Sequence, residues 1–584
     1  MNKEWSLDSL YKSYNDEAFT TDMAKLGDIL NSLKQYINNL NGQDKKEELK
    51  TAIQYMEAYS LLFNRLYAYT NLRQTTNTTD SETASLIGKL EKMNSSISKE
   101  LSILDKYISK IDNLDDLISE DETLKGYEYY LHVIKDKAKY ALSDDVEEVI
   151  AKLNLSAGSA WSTMQQYLTS TLEVEYNGEL TTLSAIRNLA YSSDKEVRKS
   201  AYEAELLAYK KIKAPIAFSL NNIKMQVNTI VELRGYESPL DLTLKDSHMK
   251  KETLDAMFTA IMECLPKFHE YLKRKAKLLG HENGLPWYDL FAPMGSLEKT
   301  FTTEEAKDYL IKNFKTFSDD MVDMTIEAFD KEWIDFFPHP GKVGGAFCYN
   351  LPFIKQSRVL TNFDGSLSDV LTLAHELGHA YHGMHIQDHL PLNTDYSMPV
   401  AETASNFNEL IVMNAAIEEA DTEGKLTLIE SQLQDVTQII CDIYSRYLFE
   451  TAVFDKSREG FLFPDELEEI MLDCQRRAYG DGLCHDTLHP YMWVCKGHYY
   501  SENLSFYNFP YAFGGLFARG LYAKFLSEGS AFVPKYQALL NATTVKSVED
   551  VAAMADIDLS NPDFFRESLK TIVNSIDMFL ELTK

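Results

Sequence analysis

The sequence predicts a mainly α protein of at least two lobes with one small antiparallel sheet. Three observations carry that expectation. The chain has 584 residues, well beyond the usual length of a single domain. Residues 1 to about 335 are dominated by long segments of helical hydrophobic periodicity with few internal glycines or prolines. Strand-like composition is concentrated in two short runs, GGAFCYNLPF (344–353) and SRVLTNF (357–363), rich in aromatic and β-branched residues and bounded by Gly, Pro, Asn and Asp.

In chain order, the helical half is illustrated by Leu49, Ala52, Met56, Tyr59, Phe63 and Leu66, whose steps of three and four residues align them on one buried face. The polar stretch YSSDKEVRKS (191–200) marks a soft boundary before another long helix, dividing the chain into an N-terminal helical lobe, 1–195, and a remainder, 196–584. GHENGLPWYDLFAPMGS (280–296) has the Gly and Pro content of a loop, and its large apolar residues make that loop an ordered one. After the two strands, Ser366 and Asp369 have capping-box spacing. Val370, Leu371, Leu373, Ala374 and Leu377 then continue a helix towards Gly383, a natural stop. MPVAETASNFNELIVMNAA (398–416) reads as a second helix.

Composition excludes several functions. With 89 acidic against 58 basic side chains and a net charge of −31, the protein is unsuited to binding nucleic acid through its phosphates. Cys264, Cys348, Cys441, Cys474, Cys484 and Cys495 contain no C-x-x-C pair and read as reduced and mostly structural. The N-terminus lacks a basic start followed by an apolar core, and no run approaches the roughly 18–20 apolar residues that span a bilayer. A cytoplasmic protein with no membrane partner is expected. No pattern sets an oligomeric state.

Chemistry is concentrated in LTLAHELGHAYHG (371–383). On a helix, His375 and His379 project from one face a turn apart, so both imidazoles can reach one tetrahedral Zn²⁺. Glu376 lies about 100° around the axis from His375, where a general base can face the ion without binding it. A catalytic zinc needs a third protein ligand and an open fourth position. Glu402 and Glu409, seven residues apart on the second helix, are the candidates. Glu402 is the expected ligand, and Glu409 the fallback or a carboxylate that orients a ligand. His382, His385 and His389 are assigned to the surface or to supporting contacts. Gly341, Gly344 and Gly345 fit a mobile loop closing over substrate, whose following strand pairs with a peptide backbone, and fit a tight turn entering a strand equally well.

SRVLTNFDGSLSDVLTLAHELGHAYHG, then AETASNFNE, with GKVGGAFCYN upstream, resemble the zinc oligopeptidases of the oligoendopeptidase F group, relatives of thimet oligopeptidase. The resemblance covers essentially the whole chain. It implies a two-lobed helical clamshell, with residues 196–584 as the catalytic zinc-metallopeptidase domain. It implies internal cleavage of short peptides, one zinc ion held by His375, His379 and Glu402, and water activation by Glu376. A C-terminal segment supplies histidine and tyrosine to the transition state in that group. Matched to GHYYSENLSFYNFPYAFGG (497–515), it gives His498, Tyr507 and Tyr511, although a segment so rich in rings also suits a packed core. Two competing expectations remain. One is a zinc exopeptidase; the G-x-M-E-N motif of zinc aminopeptidases is absent, while a carboxypeptidase stays open. The other is a helical peptide- or metal-binding protein, for which Glu376 would have no use.

Overall fold

The computed structural model describes residues 4–295 and 299–584, so Ser296, at the end of the expected 280–296 loop, lies outside the described residues. The fold is mainly α, as expected. Its helices begin where the sequence places side-chain caps: Asp16 before Glu17–Asn38, Asp44 before Lys45–Thr76 and Asp194 before Lys195–Arg234. The polar stretch at 191–200 therefore contains the start, at Lys195, of a 40-residue helix, which ends at Gly235 with φ 82°.

The chain forms two compact units. One comprises Met1–Ala141, Lys299–Val412 and Glu528–Asp556, and the other Leu142–Glu298, Met413–Ser527 and Ile557–Lys584. Each draws on three separate stretches, so a single cut near residue 195 does not describe them. Helices distant in sequence complete each other's apolar faces, and that pairing is invisible to local composition.

In the first unit, Leu49, Ala52, Tyr59 and Leu66 of the predicted stripe are buried, with Met56 and Phe63 packed against them. The unit also holds the sheet. Strands β1 (Glu173–Tyr176) and β2 (Glu179–Thr182) form a separate hairpin in the other unit, turned by Asn177 and Gly178 with φ of 52° and 83°. An Asn-Gly pair supplies the two positive φ angles of a hairpin turn. This hairpin interrupts a half of the chain expected to be helical.

The sheet beside the motif helix contains β3 (Ile334–Asp335), β4 (Phe347–Leu351) and β5 (Gln356–Leu360) in the order β3-β5-β4. β4 and β5 pair antiparallel from Phe347↔Leu360 to Leu351↔Gln356, as expected, and β3 adds in parallel with Ile334↔Val359. β4 thus lies at the sheet's edge. In the other unit, the 280–295 loop buries Leu285 and Leu290, and Asp289 accepts from both Arg198 and His281. Among the described residues no helix is long and apolar enough to cross a membrane.

Candidate metal centre

The motif helix begins as its spacing predicts. Ser366 Oγ accepts from Asp369 N (3.2 Å) and Asp369 Oδ2 accepts from Ser366 N (3.1 Å), closing the capping box. The helix then runs Leu367–Ile386, past the expected stop at Gly383. That glycine is not a cap. A Cβ there would strike the carboxamide of Asn350, and the space it leaves admits Asn350 Nδ2, which donates to His379 O at 3.3 Å. Strand β4 is thereby fastened to the backbone of the motif helix.

The expected continuous helix over 398–416 is broken. Met398–Ala401, opened by Pro399, ends at Glu402 with φ −93° and ψ 9°, and a new helix starts at Thr403. Ser405 Oγ donates to Glu402 Oε2 at 2.7 Å. The interruption takes Glu402 off the helix face and sets its carboxylate 3.2 Å from His375 Nε2 and 3.4 Å from His379 Nε2. Gly378, inside the motif, permits this approach, since a Cβ there would lie 2.5 Å from Ala404 O and Ser405 Cα.

These three residues fit a tetrahedral zinc ion. Ligands about 2.0–2.2 Å from such an ion lie about 3.3–3.6 Å from each other, and the two contacts above, 3.2 and 3.4 Å, lie within about 0.1 Å of that spacing. All three ligand atoms lie within 4.8 Å of one another. Glu409 Oε2 lies 3.3 Å from His375 Nδ1. A proton placed there leaves the Nε2 lone pair facing the lone pairs of Glu402, an arrangement that calls for a cation between them. The electrostatics agree. Burial opposes a charge on His375, but its contacts with Glu402 and Glu409 raise its pKa to about 10. Burial likewise opposes the Glu402 carboxylate, yet both histidines hold it well below the usual range. The cradle draws positive charge.

Glu376 is 6% exposed, and burial pushes its pKa up while His375 and His379 pull it down. A carboxylate with raised pKa beside a metal cradle is a stronger proton acceptor than one in water. The flanking histidines have supporting places. His382 is wholly buried, stacked on Tyr396 at 4.3 Å, with Nε2 2.8 Å from Thr543 Oγ1. His389 Nδ1 meets Thr544 Oγ1 at 2.6 Å, and His385 packs on Tyr381.

His498, Tyr507 and Tyr511 come together in the second unit. Ring centroids lie 4.9 Å (His498–Tyr507), 5.5 Å (Tyr507–Tyr511) and 6.1 Å (His498–Tyr511) apart. The cluster is not sealed in a core: Tyr511 is 38% exposed, and His498 and Tyr507 are half-buried. Burial, then the charges of Arg446 and Lys496, lower the His498 pKa.

The GKVGG loop is pinned at its base. Gly341 O accepts from Thr78 N (2.8 Å), Val343 N donates to Thr75 O (2.9 Å), and Lys342 is buried against Asp335. Asn362 Nδ2 donates to Val343 O and Gly345 O. Only Gly344 and Gly345, where an added Cβ would touch nothing within 4 Å, form an open tip. The tight-turn reading suits this loop better than a wholesale lid.

Asn350, Gly378 and Ser405 escaped the sequence reading. Ser405, three residues after Glu402, carried a local capping-type spacing, whereas the contacts of Asn350 and Gly378 span 29 and 26 residues and left no local sign.

A buried carboxylate beside two helical histidines and a converging glutamate, on a mainly α frame, defines a metallopeptidase. The chain belongs to peptidase family M3: that family's model matches residues 188–571, and a further model described as oligopeptidase F matches 110–173. The chain is 25% identical over 590 residues to oligopeptidase PepF of Bacillus subtilis (strain 168), covering 99% of this chain and 87% of the relative. It is 24% identical over 574 residues to the group B oligopeptidase PepB of Streptococcus agalactiae, covering 96% and 94%. Its fold resembles a putative peptidase from Chlamydophila abortus (TM-score 0.86, 19% identity, 99% and 98% covered) and oligoendopeptidase-F from Enterococcus faecium (TM-score 0.72, 19% identity, 97% and 99% covered).

Proposed function

We propose that the protein is a zinc-dependent oligoendopeptidase that hydrolyses internal bonds of short peptides. The observation that carries this is the convergence of His375 Nε2, His379 Nε2 and Glu402 Oε2 at tetrahedral spacing, with Glu376 buried on the next helical position. His375, His379 and Glu402 would hold one zinc ion. Bound there, zinc supplies Lewis acidity that polarises the scissile carbonyl and acidifies water. The same N/O donor set also admits Co²⁺ or Mn²⁺.

Glu376 takes the proton from the attacking water and delivers it to the leaving amine. Its raised pKa suits both halves of that cycle. Glu409 keeps His375 in the tautomer whose Nε2 faces Glu402. His498, Tyr507 and Tyr511 donate to the negative charge that develops on the carbonyl oxygen, a contact stronger in the transition state than in the substrate. The edge of β4, tied to the motif helix through Asn350, can pair with an extended peptide through main-chain hydrogen bonds, which accommodates many side chains. Six unpaired cysteines fit a reducing cytoplasmic setting.

One experiment tests this: a short peptide blocked at both ends is incubated with the protein and the products are read by mass spectrometry. Internal cuts are expected, abolished by chelation and restored by Zn²⁺. The Glu376→Gln variant is expected to keep its zinc and lose roughly three orders of magnitude in turnover. Resistance of the blocked peptide, or near-normal cleavage by that variant, would overturn the proposal.

A further inference from the structure

The segment that carries Tyr507 is held in an unusual conformation by residues that no part of the mechanism uses. Phe506 has φ 53°, a left-handed backbone that side-chain-bearing residues avoid and that persists only where the surroundings enforce it. Asn508 N donates to Phe506 O at 2.7 Å, closing a three-residue turn with Tyr507 at its centre.

Three helices enforce that turn. Thr243 Oγ1 donates to Ser505 O at 3.0 Å in a buried contact. The Phe506 ring stacks on Phe454 with centroids 5.5 Å apart and planes 26° apart. Asn508 Nδ2 donates to Glu450 Oε2 at 2.9 Å, and the other oxygen of Glu450 accepts from Lys224 Nζ at 2.7 Å. The Lys224 and Glu450 side chains are 0% and 1% exposed. A buried ion pair is a weak source of stability, since packed apolar residues serve as well, and its better-attested use is to specify one arrangement. Here the arrangement specified is that of Asn508. Its own carbonyl accepts from Tyr511 N at 3.1 Å, so one residue fixes both the turn of Tyr507 and the start of the helix bearing Tyr511.

We propose that Asn508, clamped by the buried Lys224–Glu450 pair, is a positioning residue that preorganises Tyr507 and Tyr511 beside His498. The inference rests on the donor role assigned to those three residues above. Donors aimed in advance at a developing oxyanion avoid reorganisation during the reaction, and a small misplacement weakens the transition state without weakening substrate binding. Asn508 itself touches no substrate and acts through the tyrosines.

The test is a double-mutant cycle on an internally quenched short peptide. Asn508→Ala is expected to lower kcat by about 100-fold with KM changed by no more than about threefold. Tyr507→Phe is expected to lower kcat by about 10²- to 10³-fold. In a Tyr507→Phe/Tyr511→Phe background, Asn508→Ala is expected to cost no more than about threefold, because its effect passes through the two missing hydroxyls. A purely structural residue would instead give additive losses, or raise KM at constant kcat, and either result overturns the inference alone. A Tyr507→Phe variant with wild-type kcat would overturn the donor role and the inference together. Where Asn508→Ala does not fold, Thr243→Val, which frees the Ser505 carbonyl at the entry to the same turn, takes its place in the cycle with the same expectations.

Discussion

Replacing Gly378 with alanine adds one methyl group where the motif helix meets the Glu402 segment. That methyl would lie 2.5 Å from Ala404 O and Ser405 Cα and 2.8 Å from Ala404 C. Carbon contacts become favourable at about 3.5 Å, so the segment must retreat by about 1 Å. All the close neighbours are backbone atoms or Cα, and none can rotate aside. Glu402 precedes them by two and three residues and sits 3.2 and 3.4 Å from the two histidine nitrogens. Metal sites tolerate displacements of about 0.2 Å, so this retreat pulls one ligand out of range. Removing a group that merely orients a ligand weakens metal binding about 10- to 100-fold; displacing the ligand itself should reach the upper end, about 100-fold or more. The fold should survive. Overpacking costs roughly 1–3 kcal/mol, and alanine's preference for helix over glycine offsets about 0.5–1 kcal/mol. The assay is zinc competition with a chromophoric chelator, alongside denaturant unfolding of both proteins in excess chelator. Wild-type zinc affinity in a folded Gly378→Ala protein would refute the reasoning.

Two further outcomes are expected. Glu409→Ala should weaken zinc binding by about 10- to 100-fold without abolishing it, because Glu409 touches His375 Nδ1 and not the nitrogen facing Glu402; the same competition assay checks this, and unchanged affinity would exclude an orienting role. His382 sets a pH dependence of stability. Burial first, then the charges of His379 and His385, lower its pKa to about 3, against about 6.5 in an unfolded chain. The unfolded state therefore binds the proton first, so the native state's advantage is complete above pH of about 6.5 and is lost as pH falls towards 3. The slope is at most about 1.4 kcal/mol per pH unit, or about 2 kcal/mol by pH 5. Urea unfolding of chelated wild type and His382→Gln at pH 7.5 and 5 should show a shallower pH dependence in the variant; parallel losses would refute the assignment.

The sequence by itself determined the helical class, the capping box at Ser366, the register that puts His375 and His379 on one face, and the glutamate that joins them. Each is a matter of local periodicity or of residue type at short spacing, which a helix converts directly into direction. The hairpin at 173–182 was equally legible through Asn177-Gly178 between alternating residues, and was masked only by the helical character around it. Tertiary structure decided the rest. Gly383 has the composition of a helix stop, yet the helix continues, because what the glycine serves is Asn350 on a strand 33 positions earlier. Glu402 reads as mid-helix, yet a break at that residue turns its carboxylate towards the histidines. The bond from Glu409 to His375, the turn of Tyr507 anchored by Lys224 and Glu450, and the assembly of each compact unit from three stretches of chain depend on close approaches between distant segments. A side chain's direction is set by its own few neighbours in sequence, whereas the distance between two elements is set by everything packed between and behind them.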